Sequence, residues 1–245
     1  MKLDEMKKLK PNDWELFYWL PFESGACDDT ENGGPECIGV CSVGETAVGI
    51  IQWTALKKMN NIAPFFKKCI EMDSALCAPL AAFTSWSVSD FTNDIGTPGN
   101  IKYSTSQVKA ALSQICDTDR ETFLTIQMDI AKEEYLDPLL SEYPWLENRP
   151  SCVQGAVMHL RVWGASTGWL GTYESASDEE IIKKVRHTIA NTSSTAGEAT
   201  GNENAGRAYN EPQIALEILS GAVSTEDVEK WVREKDPSVF SFKFR

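Results

Sequence analysis

The chain has 245 residues, of which 42% are hydrophobic, 10% aromatic and 24% charged, the composition of a soluble globular protein large enough to bury a core. Its formal charge of −13 leaves no basic surplus to neutralise phosphates, which argues against nucleic-acid partners and against anionic membranes. No apolar run approaches the roughly 18 residues of a transmembrane helix, and the charged residues 1–10 lack the apolar centre of a secretory signal, so the chain is expected to reach its target by lysis, injection or export.

In chain order, Pro11-Asn12-Asp13 reads as a helix start with Asn12 or Asp13 as cap, and Trp14, Phe17, Leu20 and Phe22 supply the apolar contacts. Pro21 bends that helix near its end and Gly25 stops it, which leaves Glu23 at a helix C-terminus among aromatic residues. Desolvation and the negative end of the helix dipole both disfavour its ionised form, so a raised pKa is expected. Residues 28–44 hold five acids or amides and four glycines and read as an irregular flap or short hairpin. The β-branched, apolar Val48-Gly49-Ile50-Ile51-Gln52-Trp53 then reads as a short buried strand, and Thr54 as the cap of a helix through Met59.

Beyond this the pattern is helical: 62–72, 74–83, 104–116, a long helix opened by the box Thr118-Asp119-Arg120-Glu121, and a helix over 152–163 ended by Gly164. Pro138 is expected to end or kink the long helix. The 152–163 helix is apolar on most faces, as in a central buried helix. The box Ser177-Asp178-Glu179-Glu180 opens a helix over 181–189, and 212–219 and 225–235 close the chain. Residues 191–206 carry no large apolar side chain and read as a mobile polar loop. With no repeat and no linker, one mainly α domain over 1–245 is expected.

Seven cysteines, Cys27, Cys37, Cys41, Cys69, Cys77, Cys116 and Cys152, are an odd number. Mostly reduced thiols or one local pairing among Cys27, Cys37 and Cys41 are expected. Their spacing fits no zinc signature and only His159 and His187 can add imidazoles, so neither metal nor cofactor is expected.

Glycoside hydrolysis needs a protonated carboxylic acid beside the scissile oxygen and usually a second carboxylate. Glu23-Ser24-Gly25, followed after a turn-rich segment by Gly49-Ile50-Ile51-Gln52-Trp53-Thr54, resembles the lysozyme superfamily, in particular phage-type peptidoglycan hydrolases and tail lysozymes, with chitosanase-like features. The resemblance covers about the first quarter of the chain. It implies a helical lobe with a small β-hairpin or flap bordering the active-site cleft, and cleavage of the β-1,4-linked amino-sugar backbone of peptidoglycan. Glu23 is then the general acid and Glu45 the second carboxylate, with Asp28, Asp29, Glu31 and Glu36 competing for that role. Gln52, Trp53 and Thr54 become substrate-binding groups, with Gln52 hydrogen-bonding a sugar and Trp53 offering an aromatic face. Tyr135, with Gln127 and Asp129 on the same predicted helix, is a further candidate toward the cleft. Ala208-Tyr209-Asn210 is similar to a segment of lytic transglycosylases, although Glu211-Pro212 departs from it. The implied partners are a bacterial cell-wall glycan or chitosan and a phage particle as carrier; chitosanase-like hydrolysis, lytic transglycosylation and a non-catalytic glycan-binding or virion protein are the other readings. His159 is read as a satisfied core or rim histidine, and Trp163, Trp169 and Tyr173 as core in preference to a sugar platform.

Overall fold

A computed structural model describes residues 1–24, 37–44, 46–56, 59–95, 106–191 and 205–234. These residues are mainly helical, with one small antiparallel sheet, in agreement with the expected mainly α class. By internal packing the chain divides into two compact units, Met1 with Glu23–Lys132 and Lys2–Phe22 with Glu133–Arg245. Because both units are assembled from discontinuous segments, no linker composition marks the division.

In the first unit, β1 (Ala47–Val48), β2 (Trp53–Leu56) and β3 (Met59–Asn60) form a three-stranded antiparallel sheet in sequence order, with Val48 opposite Trp53 and Ala55 opposite Asn60. Two sequence expectations change here. Residues 49–52 form the turn between β1 and β2 where a continuous strand was expected, and Thr54 lies in β2 where a helix cap was expected. Gly49 (φ 75°) and Gln52 (φ 58°) both take left-handed backbone, which ends the pleat and reverses the chain.

Behind the sheet, α3 (Ile62–Met72) buries Ile62, Phe65, Phe66 and Cys69 on one face. Phe65 stacks on Trp53 of β2 with ring centroids 3.8 Å apart, and Phe66 meets Phe83 and Phe91 at 6.1 Å. Phe83 ends a 3-10 helix over Ala78–Phe83, and Phe91 lies in α4 (Val88–Ile95). The long helix α5 (Gln107–Ala131) is broken at Asp119, whose backbone (φ −158°, ψ 86°) is extended while its carboxylate accepts from the N–H and hydroxyl of Thr122. The cap of the second half is therefore Asp119 itself. Asp94 accepts from the Ser106 hydroxyl and the Gln107 and Val108 N–H groups, placing an anion at the first turn of α5. A disulfide joins Cys41 to Cys116 across a sequence separation of 75, a long-range bridge where mostly reduced thiols or one local pairing were expected. Cys37, Cys69, Cys77 and Cys152 are reduced thiols.

The second unit begins with α1 (Leu3–Leu9), a helix within the charged N-terminus that buries Leu3 and Met6 and is capped by a bond from the Lys2 N–H to Glu5. The helix expected from Asn12 or Asp13 is a run of turns over 11–19, followed by the five-residue α2 (Leu20–Ser24). Trp14 and every residue from 16 to 20 are buried. With no polar face left for an exposed helix, the segment winds through short turns, closed by bonds such as Leu16 N–H to Asp13 and Leu20 N–H to Phe17. Pro21 falls in the first turn of α2, where its missing N–H costs little.

The chain then runs through a π-helical turn (Lys132–Leu136), α6 (Asp137–Glu142) with Pro138 in its first turn, and α7 (Ser151–Val162). Buried on most faces as its sequence predicts, α7 packs against α8 (Asp178–Asn191) and α9 (Ala205–Leu219). Gly155 of α7 is required by a close approach, since a Cβ there would lie 2.3 Å from the Leu16 carbonyl oxygen. Gly164 (φ 69°) ends α7 with Gly164 N–H bonded to the Arg161 carbonyl and Ala165 N–H to that of Leu160. The Ser177–Glu180 box opens α8 as predicted, with Glu180 accepting from the Ser177 N–H and hydroxyl. Pro212 lies inside α9, which starts earlier than the proline suggested, and α10 (Thr225–Glu234) packs on α1. The expected loop over 191–206 lies mostly outside the described residues.

Candidate functional site

The turn between β1 and β2 is the most constrained backbone among the candidate positions. A non-glycine residue in left-handed geometry costs on the order of 1 kcal/mol and persists only where its surroundings hold it. Gln52 is held by its own side chain: Nε2 donates to the Ser42 hydroxyl at 2.8 Å and to the Gly49 carbonyl at 2.9 Å. The Ser42 hydroxyl in turn donates to the Gly49 carbonyl at 3.0 Å, and the Gln52 N–H closes the turn onto the same oxygen at 3.2 Å. Both hydrogens of Nε2 are engaged within the protein, at Ser42 and at Gly49.

Below the turn lies Gln127 of α5, fully buried. Its Oε1 accepts the Ile50 N–H at 3.0 Å and its Nε2 donates to the Val40 carbonyl at 2.8 Å. One buried amide thus satisfies both the turn and the segment that precedes the hairpin. A Cβ on Gly49 would come within 2.4 Å of that Oε1, so glycine is needed here for space as well as for its φ. The sequence reading sets Gln127 on a helix toward the cleft; the structure makes it the buried clamp of the turn.

The other candidates take distinct places. Glu23 is half-buried near the C-terminal end of α2 and belongs to the same unit as the hairpin. Glu45 and its competitors Asp28, Asp29, Glu31 and Glu36 lie outside the described residues. Trp53 is only 3% exposed, and its stacking on Phe65 makes it a wall of the core, which corrects the expectation of an indole face offered to sugar. Thr54 is half-buried and its hydroxyl donates to the Gln52 carbonyl at 3.0 Å, which extends the brace on the turn. Tyr135 lies half-buried in the π-helical turn and belongs to the second unit. The structure therefore brings Gln52, Trp53 and Thr54 together and adds Ser42 and Gln127 as their supports.

The second unit has a buried polar centre of its own. His159 of α7 pairs through Nδ1 with Glu211 of α9, stacks on Trp19 at 4.2 Å between centroids, and meets the Trp163 ring edge-on at 5.0 Å. His159 is a satisfied core histidine, and Glu211, which broke the resemblance at Ala208-Tyr209-Asn210, is its partner. Tyr18 is fully buried and its hydroxyl makes no hydrogen bond among the described residues. Burial, followed by the nearby Glu211 and Cys152, pushes its phenol well above the usual range. Burial also pushes the Cys152 thiol up to about 12. On the surface of this unit, Tyr173, Ser175, Lys183, Lys184 and His187 line an open groove of about 650 Å³.

No group of three or more potential metal ligands occurs among the described residues. No family model, curated protein or solved structure matches the chain.

Proposed function

We propose that the protein is a glycosidase acting on the β-1,4-linked amino-sugar backbone of peptidoglycan, with Glu23 as general acid. The observation that carries this reading is the Gln52 turn: the Gly49-Ile50-Ile51-Gln52-Trp53-Thr54 segment, which resembles a lysozyme cleft wall, folds as a hairpin turn with a left-handed non-glycine residue. Such strain, held by Ser42, Thr54 and the buried Gln127, is what a pre-organised ligand-binding turn requires.

In this mechanism the protonated carboxyl of Glu23 gives its proton to the glycosidic oxygen as the bond to the anomeric carbon breaks, and the ring develops oxocarbenium character. Gln52 Oε1 accepts a hydrogen bond from a sugar amide or hydroxyl and fixes the ring against the acid. A second carboxylate, for which Glu45 is the candidate, stabilises the positive charge or activates water. If the Glu23 carboxylate then takes a proton from the sugar's own hydroxyl while that oxygen bonds to the anomeric carbon, the ring closes to an anhydro sugar and the outcome is lytic transglycosylation.

The test is digestion of purified cell walls, and of chitosan in parallel, with mass analysis of the products. A reducing end identifies hydrolysis and an anhydro sugar identifies transglycosylation. The groove beside Tyr173 and Lys184 favours a second reading, a glycan-binding protein without turnover. Co-sedimentation with walls that yield no fragments would select it.

A further inference from the structure

A turn and a helix line the open groove of about 650 Å³ on the second unit. The turn follows a 3-10 helix over Gly168–Thr172 and brings Thr172, Tyr173 and Ser175 to the groove. It is closed by the Tyr173 N–H on the Leu170 carbonyl at 2.9 Å and by the Ala176 N–H on the Tyr173 carbonyl at 3.0 Å. The helix is α8, in which Glu180, Lys183, Lys184 and His187 recur at the spacing that sets side chains on one face. Ile181, Ile182 and Val185 of the same helix are fully buried and hold it in the core. Arg149 ties the two walls together: its Nη2 donates to the Glu174 carbonyl at 2.7 Å and its Nη1 to the Asp178 carboxylate at 3.1 Å. The spacing of the walls is thus set by the backbone and a buttressing guanidinium, before any ligand arrives.

In a chain of formal charge −13, this lining sets Lys183, Lys184 and His187 against the single acid Glu180. The Glu180 carboxylate is engaged at the start of α8, where it accepts from the Ser177 N–H at 2.7 Å and the Ser177 hydroxyl at 2.8 Å. Lys183 pairs with Glu179 at 2.7 Å. Tyr173 is half-buried and rests edge-on against Trp169 at 5.0 Å, which fixes its ring beside the groove. The Thr172 hydroxyl donates to the Trp169 carbonyl at 3.0 Å, so its oxygen can still accept from a ligand hydroxyl. We infer that this groove binds a sugar that carries a carboxylate, with the ring packed on Tyr173, its hydroxyls meeting Thr172 and Ser175, and the carboxylate paired with Lys184 beside His187. The volume falls within the roughly 300–1,000 Å³ of small-ligand sites, and an aromatic ring with a few convergent polar groups is what such sites use to orient a ligand. The inference rests on the groove being a glycan site and is independent of cleavage at Glu23, which belongs to the other unit.

The experiment titrates the full isotope-labelled chain at low salt with N-acetylmuramic acid, with N-acetylglucosamine, which lacks the carboxylate, and with lactate, which lacks the ring, and follows the backbone amides by NMR. N-acetylmuramic acid should move the amides of residues 172–176 and 183–187 and bind about threefold to fivefold more tightly than either of the others, the weight of one partly exposed ion pair. Lys184→Gln should bring its affinity down to that of N-acetylglucosamine, and Tyr173→Ala should weaken both sugars. Equal binding of N-acetylglucosamine would remove the carboxylate from the inference, equal binding of lactate would remove the sugar, and either overturns it. Shifts confined to the residues around Glu23 and Gln52 would also overturn it while supporting the glycosidase reading. Groove binding by a protein that releases no wall fragments would sustain it while that reading fails. The wild-type ranking decides the matter if either variant does not fold.

Discussion

Replacing Gln127 with leucine removes the clamp beneath the turn while keeping a buried side chain of similar size. The Ile50 N–H and the Val40 carbonyl, bonded to Gln127 at 3.0 and 2.8 Å, would both be left in a dry interior without those partners. An unmet buried polar group costs about 1–3 kcal/mol, so two give a loss of roughly 2–6 kcal/mol, softened where the backbone relaxes toward water. Urea denaturation would read the stability change, and hydrogen exchange at the Ile50 amide would localise it, because that N–H should lose protection relative to the sheet. Since Gln52 sits in the same turn, wall binding or cleavage should fall more than global unfolding accounts for at temperatures where the variant is folded. A stability change below about 0.5 kcal/mol together with an unaltered Ile50 exchange rate would refute the clamp.

Other parts of the structure make their own predictions. Tyr18→Phe removes a buried hydroxyl that has no hydrogen bond among the described residues, so denaturant unfolding should show stability unchanged or raised by about 1 kcal/mol; a clear loss would reveal a partner for the hydroxyl. Opening Cys41–Cys116 by Cys116→Ser releases a loop of sequence separation 75, and urea titration under non-reducing conditions should show a loss of about 4 kcal/mol on the chain-entropy account. The Glu180 carboxyl is held below its ordinary value by the Ser177 N–H and then by the Ser177 hydroxyl. Its folded pKa lies under its unfolded one, so its contribution is present above the unfolded value and lost as pH falls through the folded one. The melting temperature should drop between about pH 5 and pH 3, and drop less in Glu180→Gln.

Where helices announce themselves through local chemistry, the sequence was readable. The apolar spacing of α3, the all-round burial of α7 with Gly164 behind it, and the Ser177–Glu180 box each act within a turn or two of chain. The same kind of signal marks the start of α4, where Ser87 donates to the Asp90 carboxylate through its N–H and hydroxyl. The hairpin was not readable for a physical reason. Ile50 and Ile51 are β-branched, and the left-handed geometry that makes 49–52 a turn falls on a glutamine whose own side chain provides part of the compensation. The support from Gln127 and the Glu211 partner of His159 arise from tertiary packing across 77 and 52 positions, which no local pattern encodes. Trp53 looked like a cleft aromatic because Gln-Trp marks the motif, and only the stacked Phe65 from α3 shows where the indole goes.

Glycosidase action through Glu23 is put to the test by digesting purified peptidoglycan with the wild-type chain and with Glu23→Gln, and quantifying released muropeptides by mass spectrometry. The wild type should release fragments and the variant should release them at least about a hundredfold more slowly, with its melting temperature and wall binding retained. Release at the wild-type rate by Glu23→Gln would remove Glu23 from the mechanism, and a wild type that binds walls yet releases nothing would contradict the enzyme itself.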